Sequence, residues 1–193
     1  MPFLAPLQVA KVEGRQTLNL LMLGLDNCGK TTLLKRISDE DVRCVAPTKG
    51  FNAKSIVLPC GGQLAVWDMA GDHPSRAVWR HFFASSTAVI FVVDSADRGR
   101  MDEGRYELHS ALAEDTLKGV PLLVLANKQD IDMALNEDEV QAELQLEQLR
   151  ARGLTYAVRG CCAQTGAGVL DALQWLCSIT DAHEELAQNC VDV

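Results

Sequence analysis

The sequence predicts an α/β fold of three layers, a mostly parallel sheet with helices on both faces, and three observations carry that prediction. Short apolar runs rich in β-branched residues alternate with amphipathic stretches of helical length. Runs such as "AVIFVVD" and "PLLVLAN" are apolar at nearly every position, which suits strands buried on both faces. The length of 193 residues, 48% of them hydrophobic, fits the core of one domain, and no repeat or low-complexity linker divides it.

Residues 1–16, "MPFLAPLQVAKVEGRQ", stand apart as an N-terminal arm or short amphipathic helix. Pro6 can open a helical turn carrying Leu4, Leu7 and Ala10 on one side, and Gly14 can end it. The stripe is narrow, so two readings stand: an arm packed on the domain, or a helix that switches position or touches a membrane. The domain proper is expected over residues 17–180 and a tail over 181–193. Its first strand is Leu18 to Leu23, followed by a helix near Lys30 to Ile37. Phe51 to Leu58 reads as a strand that "PCGG", Pro59 to Gly62, turns back antiparallel along Leu64 to Asp68. A helix over Ser75 to Phe83 leads to the strand Ala88 to Asp94, and a helix over Asp102 to Glu114 leads to the strand Pro121 to Asn127. A helix over Glu137 to Ala151, a strand over Thr155 to Cys161 and a helix over Val169 to Ile179 complete the order.

A net charge of −8 argues against polymeric nucleic acid as a partner and against a polybasic membrane patch. The seven cysteines, Cys28, Cys44, Cys60, Cys161, Cys162, Cys177 and Cys190, form no C-x-x-C and do not pair with the four histidines at zinc spacing, so they read as reduced cytosolic thiols. No apolar run approaches the roughly 18 residues of a membrane-spanning helix, and no basic flank precedes an apolar stretch at the start. A cytoplasmic, unsecreted protein is expected. Pro2 stands where N-myristoylation needs glycine, and Asp192 spoils the Cys190-Val191-Asp192-Val193 tail as a prenylation box.

Three motifs carry chemistry. "GLDNCGKT", Gly24 to Thr31, lies between a strand and a helix and matches G-x-x-x-x-G-K-[ST]. Such a loop converges backbone N–H groups on phosphate oxygens, adds the positive end of the helix dipole, extends Lys30 to the outer phosphates and offers the Thr31 hydroxyl to Mg²⁺. "NKQD", Asn127 to Asp130, follows a buried strand at the end of the sheet where open α/β folds bind ligands. Asp130 can accept from the N1–H and exocyclic amine of guanine, whereas adenine would leave that carboxylate unpaired. Lys128 can lay its stem over the base, and Asn127 can bond both base and phosphate loop. In Asp68-Met69-Ala70-Gly71 the carboxylate can hold Mg²⁺ through water, and the bare Gly71 backbone can approach a terminal phosphate. Thr48, in "APTKGF", offers a second hydroxyl on a segment able to close over the metal.

The set "GLDNCGKTT", "PTKGFN", "VWDMAGDHPSRAVWRHFF", "VDSADR", "NKQD" and "CCAQTGAG" resembles the small GTPases of the ADP-ribosylation-factor (Arf) and Arf-like family. The resemblance implies a P-loop small-GTPase fold, with a six-stranded sheet carrying one antiparallel edge strand, and a guanine-nucleotide switch. It assigns Gly24, Leu25, Asp26, Asn27, Cys28, Gly29, Lys30, Thr31 and Thr32 to the phosphates. Thr48 takes the switch I metal role, and Asp68 with Gly71 the switch II role. Asn127, Lys128 and Asp130 take the base, with the backbone of Ala163 on the guanine oxygen and Cys162 beside it. It further implies effectors meeting a hydrophobic triad of Phe51, Trp67 and Phe82, an exchange factor, a GTPase-activating protein, and a monomer with transient membrane contact through the arm. The segment from Phe51 to Trp67 would slide in register between nucleotide states, two residues being the smallest slip that keeps the faces.

Departures from the family pattern sharpen the expectation. Pro2 points to the non-myristoylated Arf-like branch, and Phe82 keeps the ring of a more usual tyrosine without its hydroxyl. The family has glycine at position 70 and glutamine at position 72, where this chain has Ala70 and Asp72. A carboxamide accepts from the attacking water and donates toward the phosphoryl oxygens, whereas ionised Asp72 can only accept. At ~6 Å from a phosphate charge its repulsion is ~3 kcal/mol at an effective dielectric of 20, before Mg²⁺ and Lys30 offset it. His73, next in sequence, could orient water in its place or stand as a solvated histidine. Two functions follow: a GTP/GDP switch with slow intrinsic hydrolysis, or a GTP-binding scaffold without significant hydrolysis. A small-molecule P-loop kinase would leave "NKQD" unexplained.

Overall fold

The computed structural model describes residues 17–57, 63–151 and 153–189. The expected N-terminal arm, the "PCGG" turn and the Cys190 to Val193 box lie outside the described residues. Six strands form one sheet in the order β2-β3-β1-β4-β5-β6: β1 Thr17–Leu23, β2 Phe51–Val57, β3 Gln63–Met69, β4 Ala88–Asp94, β5 Leu122–Asn127 and β6 Tyr156–Gly160. Every neighbouring pair is parallel except β2 with β3, which run antiparallel from Phe51↔Met69 to Val57↔Gln63. The edge strand β2, predicted to run antiparallel to the strand along Leu64 to Asp68, is therefore in place.

Among the described residues six α-helices accompany them: α1 Lys30–Ile37, α2 Arg80–Phe83, α3 Met101–Leu112, α4 Glu137–Glu143, α5 Leu146–Arg150 and α6 Val169–Asn189. The period of two along β1 divides the core into two layers. Leu20 and Met22 face a cluster with Leu33 and Leu34 of α1 and Ala172, Leu173 and Leu176 of α6. Leu21 and Leu23 face the opposite cluster, with Trp79, Phe83, Leu108, Val140 and Leu149. In β4 and β5 the alternation serves two dry faces, which is why both strands read as continuous apolar runs.

Three helices differ from expectation. The stretch over Ser75 to Phe83 is a 3₁₀ turn, His73–Val78, followed by the short α2, because Pro74 starts the turn inside the first positions after Asp72. The expected helix Glu137 to Ala151 breaks at Gln145, which takes φ 53°. A continuous helix at ~100° per residue would set Leu149 roughly half a turn from Val140. The break lets Val140, Leu144, Leu146 and Leu149 all pack inward. The last helix continues past Ile179 to Asn189.

Candidate functional site

The C-terminal ends of β1, β3, β4 and β5 deliver the sequence motifs to one rim of the sheet, beside the point where the chain crosses from β3 through β1 to β4. They surround an open cleft of about 510 Å³, within the ~300–1,000 Å³ range of small-molecule sites. Asp26, Asn27, Gly29, Lys30, Thr31, Thr32, Thr48, Gly71, Asp72, Lys128 and Gln164 line it.

Behind this lining, Gly24, Leu25 and Cys28 form the back of the loop. Lys30 is 5% exposed, and its ammonium donates to the Gly24 and Leu25 carbonyls at 2.9 and 2.7 Å and approaches Cys28 Sγ at 3.6 Å. These partners are neutral, so the loop holds a desolvated positive charge beside the cleft, a setting that favours an anion. Burial raises the Cys28 thiol pKa, against the pull of Lys30. Gly29 opens α1 at φ 100°, and a Cβ there would lie 2.3 Å from Asn127 Nδ2, so both backbone conformation and space require glycine.

Thr31, Thr48 and Asp68 meet beside Lys30. The two hydroxyls are 2.6 Å apart, Thr31 Oγ1 donates to Asp68 Oδ2 at 2.8 Å, and Thr48 Oγ1 reaches the same oxygen at 3.3 Å. Asn52, directly opposite Asp68 in the β2–β3 register, donates to Thr48 Oγ1 at 3.2 Å and Asp68 Oδ2 at 3.1 Å. Asp68 is fully buried, and its Oδ1 has no hydrogen-bond partner among the described residues. An orphaned carboxylate oxygen beside two hydroxyls is a hard-oxygen set that fits Mg²⁺.

The segment after β3 lies directly on the phosphate loop. Gly71 O accepts from Asp26 N at 3.1 Å, and a Cβ on Gly71 would stand 2.4 Å from Gly24 O. Arg76 Nε donates to the same Gly71 oxygen at 2.8 Å, while its Nη1 binds Glu103 at 2.7 Å and Glu107 at 3.0 Å on α3. Burial opposes the Arg76 charge, but the two glutamates outweigh it and raise the guanidinium pKa. Asp72 lines the cleft with its carboxylate turned to Ser75, whose Oγ donates to Oδ2 at 2.9 Å. His73 is exposed and lines a separate cavity with Arg80, Glu107 and Glu114; the structure does not bring it to the cleft.

On the other side, Asn127 is 2% exposed and ties the loops together: its Nδ2 donates to Cys28 O at 2.8 Å and its Oδ1 accepts from Ala163 N at 2.9 Å. The N–H that the resemblance assigns to a guanine oxygen is thus held by Asn127. Lys128 pairs with Asp94 at 2.6 Å, which orients its stem along the cleft wall. Asp130 is exposed, so burial of its carboxylate would have to come from the base itself. Cys162 shapes the adjoining turn, donating to Ala167 O and accepting from Gly166 N. The rings of Phe51, Trp67 and Phe82 form a mutual triad with centroids 5.2 to 5.4 Å apart, and Phe51 is 40% exposed.

Sequence reading missed Asn52, Arg76, Asp94 and also Arg36, whose guanidinium reaches from α1 to the Ala163 and Gln164 carbonyls. Asn52 sits inside the quoted "PTKGFN", and its register opposite Asp68 was the available signal. Arg76 also stood inside a quoted motif, whereas its partners on α3 carried no local mark.

The chain matches the ADP-ribosylation factor family over residues 6–180. It is 43% identical over 166 residues to ADP-ribosylation factor-like protein 3 of Chlamydomonas reinhardtii, covering 86% of this chain and 91% of that one. It is 42% identical to the protein of the same name from Caenorhabditis elegans, covering 86% of this chain and 89% of that one. Its fold superposes on the Arl6 (BBS3) small GTPase of Trypanosoma brucei, solved with the nucleotide analogue GppNp bound, with a TM-score of 0.79 and 28% identity over 86% of this chain and 99% of that one.

Proposed function

Because the chain belongs to the ADP-ribosylation factor family of small GTPases, we propose that it is an Arf-like switch that binds GTP and GDP with Mg²⁺ and recruits effectors in the GTP state. As a member of that family it is a guanine-nucleotide-binding GTPase, converting GTP to GDP and phosphate. The observation that supports the switch is the meeting of Thr48 with Thr31 and Asp68. Thr48 sits on the segment between α1 and β2, so its attachment to the metal set would depend on what that set holds. Bound there, Mg²⁺ would neutralise charge on the phosphates.

The remaining roles belong to the same reading. Residues Gly24 to Thr32 would cradle phosphates, with Lys30 supplying the buried charge and Gly71 approaching the terminal group. Asn127, Lys128 and Asp130 would take guanine, beside the Cys162-Ala163 turn. Asp72 would give slow intrinsic hydrolysis, since a carboxylate held by Ser75 has no proton to donate toward a phosphoryl oxygen. His73 points to the neighbouring cavity, and His73→Ala would leave the rate unchanged. The triad, with Phe51 exposed and Trp67 and Phe82 half-buried, would meet effectors, and an exchange factor and a GTPase-activating protein would drive the cycle. Among the described residues no helix is long and apolar enough to cross a membrane. We read the protein as a cytosolic monomer in intracellular trafficking, touching membranes peripherally through its arm.

Single-turnover GTP hydrolysis tests the reading. Wild type should be slow, and Asp72→Gln should be faster by about tenfold, the worth of one restored hydrogen bond. Rapid hydrolysis unchanged by the substitution would overturn the role of Asp72. No turnover in either protein, with tight GTP binding, would favour a scaffold.

A further inference from the structure

The turn after β6 is held from α1 by a side chain that the phosphate and metal chemistry does not use. Arg36 Nε donates to Ala163 O at 3.3 Å, and its Nη2 donates to the next carbonyl, Gln164 O. Its stem packs along Gly166, where a Cβ would stand 3.3 Å from Arg36 Cδ. A guanidinium is a planar fork of donors, and here it grips two successive carbonyls, which a point-charge ammonium does not reproduce.

In a trans peptide the N–H points opposite to the C=O. Arg36 therefore fixes the plane of the peptide joining Ala163 to Gln164 with the Gln164 N–H directed away from α1. The preceding N–H, of Ala163, is held by Asn127 Oδ1 at 2.9 Å. The Gln164 N–H has no acceptor among the described residues, and Gln164 lines the cleft beside Lys128. Asp130, an acceptor at neutral pH, suits the N–H groups of a guanine edge and offers nothing to its 6-oxo group. The turn must supply the donor there.

We propose that Arg36 is a positioning residue for base specificity: by holding the Ala163 and Gln164 carbonyls it presents the Gln164 N–H to the 6-oxo group of a purine nucleotide. The proposal rests on the guanine-nucleotide reading above and adds the side chain that holds the turn reading position 6.

The test uses three diphosphates on the full chain by calorimetry: GDP, IDP, which lacks only the 2-amino group, and 2-aminopurine riboside diphosphate, which lacks the 6-oxo group. Arg36→Ala should weaken GDP and IDP by about tenfold each, the worth of one hydrogen bond, and leave the 2-aminopurine nucleotide unchanged. The GDP-to-IDP ratio stays as in wild type. Arg36→Lys, which keeps the charge and the stem packing, should show a smaller loss in the same pattern and serves if the alanine variant does not fold. Equal weakening of all three nucleotides, or none, would overturn the proposal while leaving the guanine reading intact. A wild type that does not prefer GDP over the 2-aminopurine nucleotide would overturn both.

Discussion

Arg76 Nε and Asp26 N donate to one acceptor, the carbonyl oxygen of Gly71, at 2.8 and 3.1 Å. The loop after β3 is thereby fastened to the phosphate loop and, through Glu103 and Glu107, to α3. Any ligand group that needs the Asp26 N–H must compete with that carbonyl, so the Arg76 cluster sets how firmly the loop rests.

Arg76→Ala should destabilise the protein by ~2 kcal/mol, below the usual cost of breaking a buried pair because Glu103 remains partly solvated. Urea unfolding measures it. Arg43→Ala is the control: Arg43 pairs with Asp41 on the open surface and should leave the midpoint unchanged. Equal shifts in the two variants would refute the clamp.

Asp68 predicts a metal dependence. Among the described residues its Oδ1 is buried without a partner while Oδ2 takes three donors, so the first oxygen is the one left for the metal shell. Chelation should speed GDP release from wild type by about tenfold or more, the scale on which such shells act. In Asp68→Asn the chelator should add nothing. The readout is the release rate of a fluorescent GDP with and without EDTA, and retained sensitivity in the variant would count against the site.

Much of this was legible because the motifs are contiguous: the phosphate loop, "NKQD" and the Asp68 turn each place their atoms within a few residues. The near-continuous apolar runs "AVIFVVD" and "PLLVLAN" were legible as strands buried on both faces, and β4 and β5 are buried in that way. What stayed hidden depends on tertiary placement. Arg36 acts on backbone carbonyls, which have no residue-type signature, and Arg76 joins one such carbonyl to Glu103 and Glu107, which lie far along the chain on α3. The break at Gln145 had a signal, in that Val140, Leu144, Leu146 and Leu149 do not share one helical face, and helix propensity obscured it.

Gly71→Ala tests how closely the loops fit. The new Cβ would stand 2.4, 2.5 and 2.6 Å from Gly24 O, Leu25 C and Asp26 N, all backbone atoms that cannot rotate away. Overpacking of this kind costs ~1–3 kcal/mol. Gly50→Ala has nothing within 4 Å but holds φ +76°, so it should cost only left-handed strain, ~1 kcal/mol. The variants should also differ in function, Gly71→Ala slowing GTP hydrolysis and Gly50→Ala leaving it nearly intact. Thermal melts with single-turnover rates separate the two, and an unperturbed Gly71→Ala would mean the loops are not in contact.

The buried thiols give the chain an alkaline limit. Burial, helped by the neighbouring Cys162, pushes Cys161 up to about 12 from its ordinary 9.0, and Cys161 Sγ lies 3.7 Å from Asn127 Oδ1. A raised pKa on an acid means the unfolded chain ionises first, so unfolding releases a proton and stability falls as pH climbs from about 9 towards 12. Urea midpoints taken at pH 8 and pH 10 should fall for wild type and fall less for Cys161→Ala. At pH 8, iodoacetamide followed by peptide mapping should label exposed Cys44 well before Cys28 or Cys161, because the thiolate is the reactive form and burial suppresses it at the latter two. Labelling of Cys161 at the rate of Cys44 would show that the base side of the site opens to solvent in the folded protein.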